Sequence, residues 1–150
     1  MKKFILLQAS VLLVCFAFGQ HKTIAPEKAQ SAFKAKFPTA TQVKWGKESK
    51  TEYEAEFKLG NNDVSANFDV AGNWLETETG IAIKDLPKAI TDKLATDYKG
   101  YKISEAAKIE KKEGITYEAE VKNGKVKKDL IFTADGKLLS KPEKAPKAAK

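Results

Sequence analysis

The chain is written twice. Tyr53-Glu54-Ala55-Glu56 returns as Tyr117-Glu118-Ala119-Glu120, 64 residues later, and Phe68 to Leu75 (FDVAGNWL) returns at the same offset as Phe132 to Leu139 (FTADGKLL). Upstream, Pro26-Glu27-Lys28-Ala29 is echoed by Pro87-Lys88-Ala89, offset by about 60. Two copies of one supersecondary unit restrict the fold more than any single motif does.

Each copy opens with a proline, a residue that suits the first turn of a helix. Ala29, Ala32, Phe33 and Phe37 form one apolar stripe, ended by Pro38, and Leu86, Ile90, Leu94 and Tyr98 form another, ended by Gly100. Both helices are short and one-sided, so each needs a sheet to lie on. The rest alternates with period two. Tyr53, Ala55, Phe57 and Leu59 make one inward row, and Val64, Ala66, Phe68 and Val70 the next. In the second copy the inward sets are Ile103, Ala107 and Ile109, then Ile115, Tyr117, Ala119 and Val121, then Val126, Leu130 and Phe132. Asn123-Gly124 is a two-residue hairpin signal that pairs Val121 with Val126 and sets Glu120 opposite Lys127. Gly60-Asn61-Asn62 marks the first hairpin, with its register open by two residues. Gly72 and Gly136 suit three-residue loops that set Trp74 opposite Phe68 and Leu138 opposite Phe132. The expected fold is α+β: two tandem repeats, each a helix plus a four-stranded antiparallel sheet, over residues 25–78 and 86–140. Thr79 to Asp85 is an ordered link carrying Ile81 and Ile83.

The ends differ from this body. Lys2-Lys3, the apolar run from Phe4 to Phe18 and the small residues of Ala17-Phe18-Gly19 read as a secretory signal peptide, residues 1–19, cleaved after Gly19. Lipidation at Cys15 is disfavoured, because Val14 is bulky where a lipoprotein signal wants a small residue. The expected location is periplasmic or secreted, with no stable membrane insertion after cleavage. Residues 141–150 (KPEKAPKAAK) have no periodicity and read as a disordered tail.

Composition then excludes chemistry. Cleavage removes the only Cys and the only Met, and leaves His21 as the one His. Thiolate metal sites, disulfides and His-based acid–base or nucleophilic catalysis lose their residues. No catalytic residue, cofactor site or metal site is therefore expected, and the chain does not read as an enzyme. All 27 basic residues are Lys, so the guanidinium fork that reads phosphates and guanine edges is missing. No nucleic-acid partner is expected. The formal charge of +7 falls to +5 without Lys2 and Lys3, and the last ten residues, with four Lys and one Glu, hold +3 of that.

The segments Phe37-Pro38 into Val43-Lys44-Trp45, Tyr53-Glu54-Ala55-Glu56-Phe57, Phe68-Asp69-Val70-Ala71-Gly72-Asn73-Trp74 and Leu86-Pro87-Lys88-Ala89-Ile90 resemble the exported PepSY-like, β-lactamase-inhibitor-like proteins. The resemblance covers nearly all of residues 25–140 and implies a two-repeat domain like that of the β-lactamase inhibitor protein. It also implies binding of a protein in the envelope, with inhibition or regulation of an enzyme such as a peptidase as one role. The inhibitor proper carries disulfides, which a chain without mature Cys cannot form. No residue here matches its enzyme-contacting loops, and no binding residue carries over.

Five residues stand out on the outward faces. Ile131 and Leu139, with Leu75 as the counterpart of Leu139, put apolar groups on a polar face, and the docking of the two repeats is the first expectation for them. Glu118 and Glu120 form a carboxylate row, as do Glu52, Glu54 and Glu56; carboxylates two apart on a strand face water rather than converge on a cation. Trp45 and Trp74 fall on core-facing rows. The functional expectation is a non-enzymatic module that binds an envelope or secreted protein. The alternatives are a binder of a small hydrophobic ligand or surface polymer in the groove between repeats, and a structural or stress-related envelope protein.

Overall fold

The computed structural model describes residues 24–140. The expected signal peptide 1–19 with Cys15, the residues around His21, and the expected tail 141–150 lie outside the described residues. The order is α1 (Glu27–Lys36), β1 (Thr41–Lys47), β2 (Glu52–Leu59), β3 (Asn62–Asp69), β4 (Trp74–Gly80), α2 (Lys88–Asp97), β5 (Lys102–Lys111), β6 (Gly114–Asn123), β7 (Val126–Phe132) and β8 (Leu138–Ser140). A 3-10 turn, Ile83–Asp85, precedes α2. Pro26 and Pro87 sit at the N-caps, one position before the helices begin. The class is α+β, as expected.

All eight strands form one antiparallel sheet in sequential order. The two halves therefore do not dock through apolar faces. They join edge to edge, β4 on β5, from Glu76 opposite Lys111 to Gly80 opposite Ala107. This corrects the repeat-docking role expected for Ile131 and Leu139, which lie on β7 and β8 at the far side of the sheet. Backbone pairing satisfies two strand edges that face docking would leave open.

Both helices lie on the same face. The cross-strand ladder Ala66–Thr77–Glu110–Ile115 runs through both halves on that face. Under α1, Ala29 and Phe33 pack on Ala55, Phe57, Val64, Ala66 and Phe68. Phe33 meets Phe57, Phe37, Trp45 and Phe68 with ring centroids at 4.9, 5.5, 5.5 and 6.2 Å. Under α2, Leu86, Ile90 and Leu94 pack on Ala106, Ala119, Val121, Leu130 and Phe132. Trp45 and Trp74 pack against the first cluster, and the Trp74 indole N–H donates to Thr77 Oγ1 at 2.9 Å.

Three expectations of register and burial are corrected. Asn123, not Val121, pairs with Val126, so the β6–β7 loop is Gly124-Lys125 and Val121 lies opposite Lys128. Gly124 has φ +57 and Asn123 stays extended, so one left-handed residue makes the turn. The shift of two residues keeps every side chain on its expected face. In β5, a bulge between Ile103 and Glu105 reverses the alternation. Ile103 and Ala106 face α2, whereas Ala107 and Ile109 turn to the opposite face. Finally, Leu59, Val70, Ile83, Ile115 and Val126 are exposed at strand ends and turns. The first hairpin turns at Gly60-Asn61, with Leu59 opposite Asn62.

Candidate functional site: the uncovered sheet face

Among the described residues no element covers the second face of the sheet. Register places its side chains in rows. One row is Glu54–Asn67–Glu76–Lys111, the next is Glu56–Ser65–Glu78–Ile109–Thr116, and a third is Ala107–Glu118–Ile131. Glu105, Glu120 and Asp129 follow across β5, β6 and β7. The centre of this face is apolar at its floor: Ala107 and Ile109 are only 7% and 5% exposed although no second layer lies above them. Glu78 stands beside Ile109 on β4, and Glu118 beside Ala107 on β6, so carboxylates flank the apolar floor on both sides.

This arrangement strains the carboxylates. Burial, with repulsion from Glu78, Asp129, Glu120 and Glu105, pushes Glu118 up to about 7. Burial, then Glu76, Glu54 and Asp129, raises Glu78 above the ordinary carboxylate range. Burial also raises Glu54, against a hydrogen bond with Ser65. Glu120 behaves in the opposite way. Burial works to raise it, but hydrogen bonds from Ser104 Oγ at 2.6 Å and Lys127 Nζ at 2.9 Å hold it below its usual value. Among the described residues no group of three or more His, Cys, Asp or Glu has the geometry to hold a metal ion.

The five sequence candidates divide. Glu118 and Ile131 are a direct cross-strand pair near the centre of the open face. Glu120 lies on the same face but is buried at 4% exposure and tied to Ser104 and Lys127, which makes it a brace. The expected Glu120–Lys127 contact forms, diagonally rather than across, since Asp129 is the direct partner. Leu139 occupies a bulge on β8 opposite Ile131 and Phe132, and Leu75 the matching bulge on β4 opposite Asn67 and Phe68. Three strands, β5 to β7, separate the two leucines, so they form no common patch. Glu54, Glu76, Glu78, Ala107 and Ile109 are further members of the site. Glu-Thr-Glu-Thr at Glu76–Thr79 was a readable alternation for two of them; Ile109 was hidden by the bulge.

A cavity of about 470 Å³ does lie where the halves meet, lined among others by Glu52, Asn67, Leu75, Glu76, Lys111 and Glu113. The charged side chains, with Glu76 and Lys111 paired at 2.7 Å, make it a poor match for a hydrophobic ligand.

Residues 51–140 match the family described as "Putative beta-lactamase-inhibitor-like, PepSY-like". The chain belongs to this PepSY-like family. Solved structures share its fold. A "BLIP-like protein" from Bacteroides fragilis is 28% identical over 79% of this chain and 86% of its own, with a TM-score of 0.66. A structure titled "putative periplasmic proteins" from Bacteroides eggerthii is 22% identical over 79% of this chain and 88% of its own, with a TM-score of 0.73, and shares the fold. A DUF2874 family protein from Bacteroides uniformis shares it too, at 24% identity over 79% and 88% of the two chains and a TM-score of 0.72. No curated protein matches the chain. Among the described residues no helix is long and apolar enough to cross a membrane.

Proposed function

We propose that this PepSY-like chain is an exported, non-enzymatic module that binds an envelope or secreted protein through the uncovered sheet face. The observation that carries this reading is the pairing of an apolar floor, Ala107, Ile109 and Ile131, with carboxylates held under burial and mutual repulsion, Glu78 and Glu118. Partly desolvated groups of this kind gain most from a matching partner surface. The sheet edges favour the face by contrast. Edge strand β1 carries Lys44, Lys47 and a bulge with Gln42 at φ +56, and β8 has three residues. Such features oppose addition of another strand.

In the same reading, residues 1–19 are a signal peptide cleaved after Gly19, residues 20–140 are the binding domain, and 141–150 are an accessory tail. The two halves are copies of one unit, a view supported by the same helix-then-four-strands order in each. The partner is an enzyme such as a peptidase, which the module restrains. The test is immobilised protein exposed to envelope and secreted extract, beside a chain ending at Ser140. A single protein held in stoichiometric amount by both chains is the expected result. Binding that disappears with the tail would instead reduce the interaction to lysine electrostatics.

A further inference from the structure

The turns that follow the two helices are built alike. Phe37 N–H donates to Phe33 O at 2.8 Å and Ala40 N–H to Phe37 O at 3.1 Å; Tyr98 N–H donates to Leu94 O at 2.9 Å and Tyr101 N–H to Tyr98 O at 3.0 Å. Ala40 and Tyr101 are thus the same position in the two halves. In the second half the position is full. The Tyr101 ring packs edge-on against Tyr98 at 6.0 Å, and Lys128 Nζ caps it at 4.8 Å from the ring centroid.

In the first half the position is empty. A cavity of about 300 Å³ opens there, walled by Phe33, Phe37, Ala40, Val43 and Trp45. Lys34 is the one charged side chain among its lining residues. A methyl group stands where its counterpart carries a phenol. The rings of Phe33, Phe37 and Trp45 line it, the kind of surface on which an aromatic ring packs edge-on or offset. Lys34 complements a π-face or a phenolic oxygen, as Lys128 does in the other half.

We propose that this cavity is a docking socket for an aromatic side chain, a tyrosine or phenylalanine ring presented by a bound protein. The site goes beyond the sheet face, lies on the helix side of the sheet beside β1, and rests on the binding-module reading only for the source of the ring. Ala40 sets the specificity, because any larger residue there fills the socket from within.

The experiment titrates the purified protein with N-acetyl-tyrosinamide and, as an apolar control without a ring, N-acetyl-leucinamide. Amide shifts at Phe37, Ala40 and Val43 and the Trp45 indole signal report binding. The expected result is saturable, millimolar binding of the tyrosine probe that maps to these residues and exceeds the leucine probe by about tenfold, the order of discrimination aromatic contacts supply. Ala40→Tyr, which reproduces the second half, abolishes the shifts and raises the melting temperature. Ala40→Leu serves as a smaller plug and also abolishes them. No saturable shift, equal response to both probes, or undiminished binding in the folded plug variants would overturn the proposal. The titration contains no partner protein, so its failure removes the socket and leaves the sheet-face reading to its own test.

Discussion

Gly72 lies directly against the backbone of Lys28: a Cβ on Gly72 would stand 2.7 Å from the Lys28 carbonyl oxygen. Gly136 stands in the same relation to Ala89, at 2.8 Å, and both glycines have φ near +85, at +86 and +85. The β3–β4 and β7–β8 hairpins thus press onto the first turns of α1 and α2. This contact fixes each helix along the sheet at a point where no side chain fits.

Gly72→Ala and Gly136→Ala therefore meet both a left-handed backbone and a backbone clash. Each is expected to lower stability by about 2–4 kcal/mol, since the neighbouring atoms are carbonyls that cannot swing aside. Gly46→Ala, where an added Cβ meets nothing within 4 Å, is the control and stays far closer to wild type. Urea denaturation of the three variants checks the contrast.

Phe33 touches four other rings and is 4% exposed. Phe33→Ala is expected to cost about 3–5 kcal/mol, through lost burial and a cavity the two-helix layer cannot close. The first half should loosen before the second, because the other core cluster shares none of these residues. Hydrogen exchange of β2 and β3 against β6 and β7 measures that order.

Glu118 and Glu120 predict opposite pH responses. The folded state raises Glu118 from 4.5 to about 7, so it holds a proton the unfolded chain has released. Its contribution to stability is full below pH 4.5 and is lost as pH rises toward 7. Glu118→Gln should flatten that decline and stabilise the protein above pH 7. Glu120 is lowered, so its contribution is present at neutral pH and lost on acidification. Glu120→Ala removes the carboxylate that accepts from both Ser104 and Lys127, leaving Ser104 only the longer bond to the residue 120 carbonyl, and is expected to cost about 2 kcal/mol at neutral pH. Melting temperatures of both variants from pH 4 to 8 test the two signs.

The sequence made the fold legible where one chemical signal fixed one geometry. Alternation at Tyr53–Phe57 and Tyr117–Val121 placed two strands and their buried faces, and the glycine loops placed Trp74 opposite Phe68 and Leu138 opposite Phe132. The β5 bulge at Ser104 was illegible because a bulge adds no distinctive residue, and it alone sent Ala107 and Ile109 to the open face. The β6–β7 register slipped because Asn-Gly and Gly-Lys loops preserve the same parity. Pairing of β4 with β5 depends on contacts far apart in sequence, so local pattern carried no sign of it. For the site, Glu118 and Ile131 were readable as outward residues; that they flank a shared apolar floor was not.

The most direct test of the account pairs capture with the open face itself. Wild type, Glu118→Lys and Ile131→Asp are compared for binding of the protein retained from envelope extract, with circular dichroism confirming that each variant is folded. Glu118→Lys reverses the sign of a charge at the centre of the face, and Ile131→Asp puts a charge on its apolar floor, beside Glu118. The account predicts that wild type retains its partner and that each folded variant loses it by tenfold or more, roughly the effect of a charge mismatch inside an interface. Undiminished retention by both folded variants would contradict the claim that the uncovered sheet face is where this protein binds.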